Sequence, residues 1–313
     1  MEKQIYTQNW QAYDMAQCNE KTLFMPLLTE LCRNVEPKRY KFGRPTMPFS
    51  DMLFCGIFKV YSSRSLRRFM GDLRIAREKG YIDKLPCFAS VGHFLQGEEI
   101  TQTLYEMAIR SSLPLKAIET DFAVDSSGFS TCRFKRWYNF KYGKESDFRV
   151  WIKAHLICGV KTNIVTSVRL SEATGGDSPY LKTLVEETAI NFKINEVSAD
   201  KAYSSRENLY LVEGIGAVPY IPFKSSAKPR AGGSLLWKKM WHYYNLRREE
   251  FLEHYHKRSN IESTVYMIKS KFGGSLRSKT KTAQVNELLA KVLCHNICVV
   301  IQEMHELGFM PNS

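Results

Sequence analysis

Three acidic residues are placed where they could do chemistry together. Asp125 closes one apolar stretch and is followed by Ser126-Ser127-Gly128; Asp200 closes another, ahead of Lys201-Ala202-Tyr203. If these stretches are neighbouring strands, their C-terminal ends bring both aspartates to one point. Glu262 lies inside a strongly basic segment. Hard divalent cations take oxygen ligands, and Mg²⁺ is usually held by a few carboxylates plus waters and phosphates. Two such ions can activate an oxygen nucleophile and stabilise the leaving oxygen of a phosphoryl transfer. Each residue also has a plainer reading. An aspartate before a turn commonly closes the turn, and a glutamate in a basic helix commonly forms ion pairs. Asp121 shares a strand face with Asp125 and is its rival.

The segment around Glu262 separates these readings. At 100° per residue, Tyr255, Arg258, Glu262, Tyr266 and Lys269 fall within about 80° of arc on one helical face. Ile261, Val265, Ile268 and Phe272 form an adjacent apolar stripe. A helix that buries this stripe holds Glu262 at the edge of a cleft, flanked by cations and aromatic rings. A carboxylate for metal, cations for phosphate and a ring for sugar or base suit nucleic acid. Lys257 falls on the other side of the same helix.

Charge points the same way. The chain of 313 residues carries 45 Lys+Arg against 32 Asp+Glu, a formal net charge of +13. Between positions 222 and 281 there are fourteen Lys/Arg and four glutamates, so +10 of that excess surrounds Glu262. A polyanion is the expected partner. No apolar run approaches the ~18 residues of a membrane span, and the opening residues do not read as a signal peptide, so a soluble intracellular protein is expected. The eight cysteines are mostly scattered singly and read as small buried hydrophobes. A zinc site from Cys294, His295 and Cys298 would need a fourth ligand and a different spacing.

The elements that must position these residues follow from periodicity and caps. The first 115 residues read as helices, with Ser50, Ser63 and a position near Ser90 as starts. Arg64, Arg67, Arg68, Arg74 and Arg77 would be exposed there, as a DNA phosphate surface or a solvated face. From residue 118 strands follow: one through Phe122, Val124 and Asp125, then 151–160 and 164–170 joined by Lys161-Thr162-Asn163. Ser178 and Pro179 open a helix, 195–200 is a fourth strand, Ser204 and Glu207 form a capping box, and 217–221 is a fifth strand. After a loop at 224–233 the chain reads as helical to Phe272, where Gly273-Gly274 stops it. An amphipathic helix runs from about Thr282 to Gly308. Three consecutive strands followed by alternating helix and strand predict an α/β fold, an RNase H-like mixed sheet flanked by helices behind an all-helical N-terminal region. The expected division is 1–115 and 116–313.

The sequence resembles the DDE-type transposases of bacterial insertion sequences. Tyr255-x2-Arg258-x3-Glu262-x6-Lys269 matches the family's Y-x2-R-x3-E-x6-K signature. Val124-Asp125-Ser126-Ser127 and Ala199-Asp200-Lys201-Ala202-Tyr203-Ser204 look like its two aspartate motifs, with Ala202 in place of the usual glycine. The Arg44-Pro45 segment and the arginine-bearing helices after it are similar, less specifically, to the family's N-terminal domain. The resemblance implies that Asp125, Asp200 and Glu262 bind two Mg²⁺ or Mn²⁺. It implies that Tyr255, Arg258 and Lys269 hold terminal phosphates, with Lys201 a looser candidate, and that Arg64, Arg67 and Arg68 contact DNA. The implied substrates are duplex DNA at terminal inverted repeats and a target DNA. The implied assembly is a homodimer on DNA in the cytoplasm, near the nucleoid. Two other readings keep the same elements: an RNase H-like nuclease or resolvase, and a catalytically silent DNA-binding repressor.

Overall fold

The computed structural model describes residues 9–35, 47–131, 141–142, 151–172, 175–230 and 233–308; Arg44, Pro45 and Cys132 lie outside them. The N-terminal region is helical, with α1 (Trp10–Arg33), α2 (Phe49–Ser62), α3 (Leu66–Glu78), α4 (Phe88–Phe94) and α5 (Thr101–Arg110). Strands β1 (Asp121–Ser130), β2 (Trp151–Gly159), β3 (Val165–Glu172), β4 (Glu196–Ala199) and β5 (Val218–Tyr220) form one sheet in the order β3-β2-β1-β4-β5. The first three strands pair as an antiparallel meander, whereas β1–β4 and β4–β5 pair in parallel. That is the RNase H-like arrangement, with the parallel and antiparallel halves meeting at β1. Helices α6 (Tyr180–Asn191) and α7 (Arg206–Gly214) make the crossovers. They are followed by α8 (Leu235–Leu246), α9 (Arg248–Tyr255), α10 (Ser259–Phe272) and α11 (Lys281–Leu307).

The alternation of β1 sorts its side chains between two cores. Phe122 and Val124 pack in a core with Leu181, Leu184, Leu209 and Phe251 from helices on one face. Ala123 and Phe129 turn to the other face, into a core shared with Phe54, Phe58, Ile261, Ile268 and Leu293. Odd-numbered positions of β1 therefore look toward α10, and Asp125 is one of them.

Helix α11 corrects one expectation, because by length and composition it could cross a membrane. Here it is the central core helix, packed against α1, α2 and α5 with Leu288, Leu289 and Leu293 buried. Its buried polar side chains tie the two halves of the chain together. The Asn296 amide accepts from the Val165 N–H at 2.9 Å and donates to the carbonyls of Val165 and Ala108 at 2.7 and 3.1 Å. Lys291 donates to the carbonyls of Gly273 and Ser275 at 2.8 and 3.0 Å, fixing the turn after α10. Leaving any such buried group unpaired costs about 1–3 kcal/mol. Cys294 and His295 are buried in the same helix. His295 bonds the Asn163 carbonyl at 2.9 Å, and burial lowers its pKa to about 4, so it stays neutral at pH 7.

Several starts differ from expectation by one to three residues. Ser65 caps α3, while Ser63 adopts a left-handed conformation (φ 53°) that ends α2. Pro48 precedes α2, Cys87 caps α4, and Ser205 rather than Ser204 caps α7. Pro179 stands at the cap position of α6, and the Ser178 hydroxyl instead accepts from Asn208 at 2.9 Å. Where several hydroxyls lie in a row, local propensity does not choose among them; tertiary contacts do.

Candidate active site

The pairing of β1 with β4 positions the two aspartates. The parallel register ends at Val124 opposite Ala199, so the next residues on the two strands are Asp125 and Asp200. Neighbouring strands lie about 4.8 Å apart, and both residues fall on the α10 face. Strand β1 does not stop at Asp125, as the sequence suggested. It continues to Ser130 against β2, while β4 ends and turns into a short 3₁₀ segment at Lys201–Tyr203. Asp125 therefore sits in mid-strand with a partner strand on one side and a gap on the other. The Asp200 carboxylate accepts from the Lys201 backbone N–H at 2.6 Å, and the Lys201 side chain is exposed beside it.

The helix opposite is broken where the sequence reads as continuous. Helix α8 ends before Arg247, α9 ends at Tyr255, and a 3₁₀ turn over His256–Arg258 leads into α10. The break preserves the aligned face, because residues three apart eclipse in a 3₁₀ turn. The Arg258 guanidinium lies 6.0 Å from the centre of the Tyr255 ring. From Arg258 onward, 11 residues to Lys269 make about three α-helical turns.

Arg258 joins the two elements. It donates one nitrogen to Asp125 at 2.7 Å and the other to Glu262, so one guanidinium bridges two of the three carboxylates. The Asp125 carboxylate also accepts from the Ser126 N–H at 2.8 Å. Burial raises the pKa of Asp125 above the usual carboxylate range. Ser126 and Arg258 oppose that rise, while Asp200 and Glu262 add to it. Asp200 and Glu262 are thus both close enough for their charge to act on Asp125. The Glu262 side chain is 59% exposed and that of Asp125 27%, so Glu262 stands at the open edge. Lys269 donates to the Ser127 hydroxyl at 2.7 Å and lies over Phe129, and burial lowers its pKa. Tyr255 and Tyr266 flank the face; Tyr255 is half-buried, and burial raises its pKa.

The donor chemistry fits a hard divalent cation: three carboxylates, two adjoining in the strand register and two joined by Arg258, with no thiol or imidazole among them. Arg258 is the positive charge that compensates them here. Among the described residues no three acidic, His or Cys side chains are already drawn to one point.

Asp121 is held elsewhere. It lies four residues before Asp125, about 13 Å along the strand, where Lys257 bonds it at 2.7 Å and Glu196 at 2.9 Å. Lys257 does point away from Asp125, but it is not a solvated side chain, as its place on the far side of the helix implied. It clamps the starting ends of β1 and β4.

Sequence reasoning missed a second polar group behind the aspartates. His155 lies opposite Ser126 in the β1–β2 ladder, on the face away from Asp125. It bonds the Ser171 hydroxyl at 2.8 Å, lies 3.6 Å from Asp177 and stacks on Tyr180 at 3.9 Å. Lys153 pairs with the same aspartate. Tyr203 is buried and kept neutral first by burial, then by Asp177 and Asp125. The available signal was a histidine in the middle of an apolar strand, between Ala154 and Leu156. Arg64, Arg67 and Arg68 are exposed on and before α3, away from these contacts; Arg64 lies 3.5 Å from Asp72, and Arg67 stacks on Phe88.

The transposase DDE domain family matches residues 116–297. A probable transposase for insertion sequence element ISA1214 from Archaeoglobus fulgidus is 26% identical over 213 residues, 68% of this chain and 63% of the relative. The chain thus spans less than two thirds of that relative's length. The piggyBac transposase, solved in a synaptic complex with hairpin DNA, superposes with a TM-score of 0.44 and 10% identity, covering 93% of this chain and 74% of that one.

Proposed function

Because this chain belongs to the transposase DDE domain family, we propose that it cuts DNA at the terminal inverted repeats of an insertion sequence and joins the ends to target DNA. The observation that carries this reading is the Arg258 guanidinium joining Asp125, next to Asp200 in the β1–β4 register, to Glu262 on α10, with Lys269 bonded to Ser127 on the same strand. Asp125, Asp200 and Glu262 would hold two Mg²⁺ or Mn²⁺ ions. Bound there, such ions supply an activated oxygen nucleophile and a stabilised leaving oxygen.

The chain's own residues set the geometry. Adjacent strands fix the spacing of Asp125 and Asp200, and α10 brings Glu262 over them from the open side. Arg258 orients the carboxylates and, with its planar fork, can hold a phosphate bidentately. Tyr255 packs beneath that guanidinium, and Lys269 offers a second positive charge further along the strand. In the first step water adds at the phosphorus and the bond to the 3′-oxygen breaks, leaving a 3′-hydroxyl. In the second that hydroxyl attacks a target phosphodiester and a target 3′-oxygen leaves. Lys201 and the arginines at 64, 67 and 68 would contact flanking phosphates. The helical region to residue 115 would serve mainly DNA binding, and residues 116–313 the chemistry. A homodimer acting at the nucleoid would present two such sites to two element ends.

The test is incubation with Mg²⁺, a duplex carrying an element end and a target plasmid. Covalently joined products with defined 3′ ends support the reading. Cleavage without joining would make the protein a nuclease or resolvase, and binding without cleavage would make it a repressor.

Lys257 gives a separate expectation. Lys257→Ala removes a partly exposed clamp, worth about 1 kcal/mol, and should lower the melting temperature while leaving cleavage per folded molecule near wild type. Thermal denaturation and a cleavage time course check this together. Loss of cleavage at an unchanged melting temperature would place Lys257 in the reaction centre.

A further inference from the structure

Arg258 stands between two of the three carboxylates that would hold metal. One guanidinium nitrogen donates to Asp125 Oδ2 at 2.7 Å and the other to Glu262 Oε1. Asp125 Oδ1 accepts from the Ser126 N–H at 2.8 Å, so both oxygens of that carboxylate are engaged. Asp200 accepts from the Lys201 backbone N–H, and among the described residues it forms no ion pair. Burial opposes the charge of Arg258, but Tyr255, Asp125 and Glu262 more than restore it, so the bridge is a full cation.

A divalent ion and this guanidinium compete for the same oxygens. Mg²⁺ takes carboxylate oxygens at about 2.0–2.1 Å. A cation already donating to those oxygens occupies their lone pairs and repels the ion by like charge. With Arg258 in place, among the described residues no third acidic, His or Cys side chain joins Asp125 and Glu262 at one point. The guanidinium is also suited to leave. Its planar fork matches phosphate as well as carboxylate. Its hold on Glu262 is an i,i+4 pair whose acidic side chain is 59% exposed, a contact that solvent weakens. A phosphodiester entering from that open side can take the fork from the carboxylates.

We infer that Arg258 couples metal loading to DNA: it closes Asp125 and Glu262 to a divalent ion until the phosphate of bound DNA draws the guanidinium away. The inference rests on the transposase reading and adds regulation of the same carboxylates. Such coupling is reciprocal, so DNA and metal each tighten the binding of the other by one factor.

Calorimetric titration of the full chain with Mn²⁺, in the absence of DNA, tests the closed state. Arg258→Gln and Arg258→Met remove the charge, and each should bind Mn²⁺ about tenfold more tightly than wild type, within the usual span of coupling. Damage to the fold does not produce a gain of affinity, and two neutral replacements guard against one that fails to fold. Lys269→Gln removes a cation of the same face that bonds the Ser127 hydroxyl rather than a carboxylate; it should keep the wild-type affinity. The coupling itself is read by fluorescence anisotropy on a labelled duplex spanning the element end, with and without Ca²⁺, a hard cation of the same ligand preference. The gain in DNA affinity on adding Ca²⁺ should be about tenfold smaller in Arg258→Gln than in wild type. Mn²⁺ affinity unchanged or weakened in the folded neutral variants overturns the inference. So does equal tightening in Lys269→Gln, or an equal Ca²⁺ effect in wild type and Arg258→Gln. In each of these cases wild type still binds Mn²⁺ and the transposase reading stands. Absence of Mn²⁺ binding in every chain overturns the metal reading itself and the inference with it, so the two failures are distinguishable.

Discussion

Replacing Asp125, Asp200 or Glu262 by alanine should each abolish Mg²⁺-dependent DNA cleavage, a loss of at least about 10³-fold, because ligands acting as one unit fail together. DNA affinity should stay within about tenfold, since few phosphate contacts are lost. Single-turnover cleavage of a labelled end, with anisotropy for binding, separates the two effects. The same assay decides between the acidic residues of β1. Asp121 is engaged by Lys257 and Glu196 lies at the same end, whereas Asp125 adjoins Asp200 in the strand register and bonds Arg258. Asp121→Ala should therefore cost stability and retain cleavage. A dead Asp121→Ala variant with an active Asp125→Ala would move the site four residues along the strand.

Arg258→Lys should lose on the order of 10²-fold in cleavage rate, the usual cost of removing one well-placed donor. The guanidinium reaches Asp125 and Glu262 at once. An ammonium is a point charge on a flexible stem and cannot span both with fixed geometry. Lys269 differs, because its single bond goes to the Ser127 hydroxyl and burial already lowers its pKa. Lys269→Arg keeps a positive charge at that place and should retain most of the rate. Equal sensitivity at both positions would mean that charge alone matters on this face. The measurement is the single-turnover rate of each variant against wild type, with the melting temperature as the check on folding.

Much of this site was legible in the sequence, for identifiable reasons. Period-two alternation placed Asp125 on a strand, and periodicity near 3.6 put Tyr255, Arg258, Glu262 and Lys269 on one face. Both patterns are local. The meander followed by alternating helix and strand pointed to a mixed RNase H-like sheet, while the β1–β4 pairing that sets Asp125 beside Asp200 is seen only in the structure. What sequence did not reveal is non-local. The 3₁₀ turn at His256–Arg258 leaves the same face aligned, so no pattern betrays it. The clamp of Lys257 on Asp121 and Glu196 joins residues 136 and 61 positions apart in sequence. Helix α11 reads as amphipathic, yet its Asn286, Glu287, Lys291, His295 and Asn296 side chains are buried and bonded. Amphipathicity alone cannot tell a solvated asparagine from Asn296, which bonds a strand edge.

The central claim is that Asp125, Asp200 and Glu262 together bind divalent metal, and it can be tested without DNA. Calorimetric titration with Mn²⁺, paired with thermal denaturation, reads the site directly. Metal that binds only the folded chain at one hundred times its Kd should add about 2.7 kcal/mol of stability. The account predicts this gain for the wild-type chain, and its loss together with the binding heat in Asp125→Asn and Asp200→Asn. Mn²⁺ binding and stabilisation equal to wild type in both variants would contradict it.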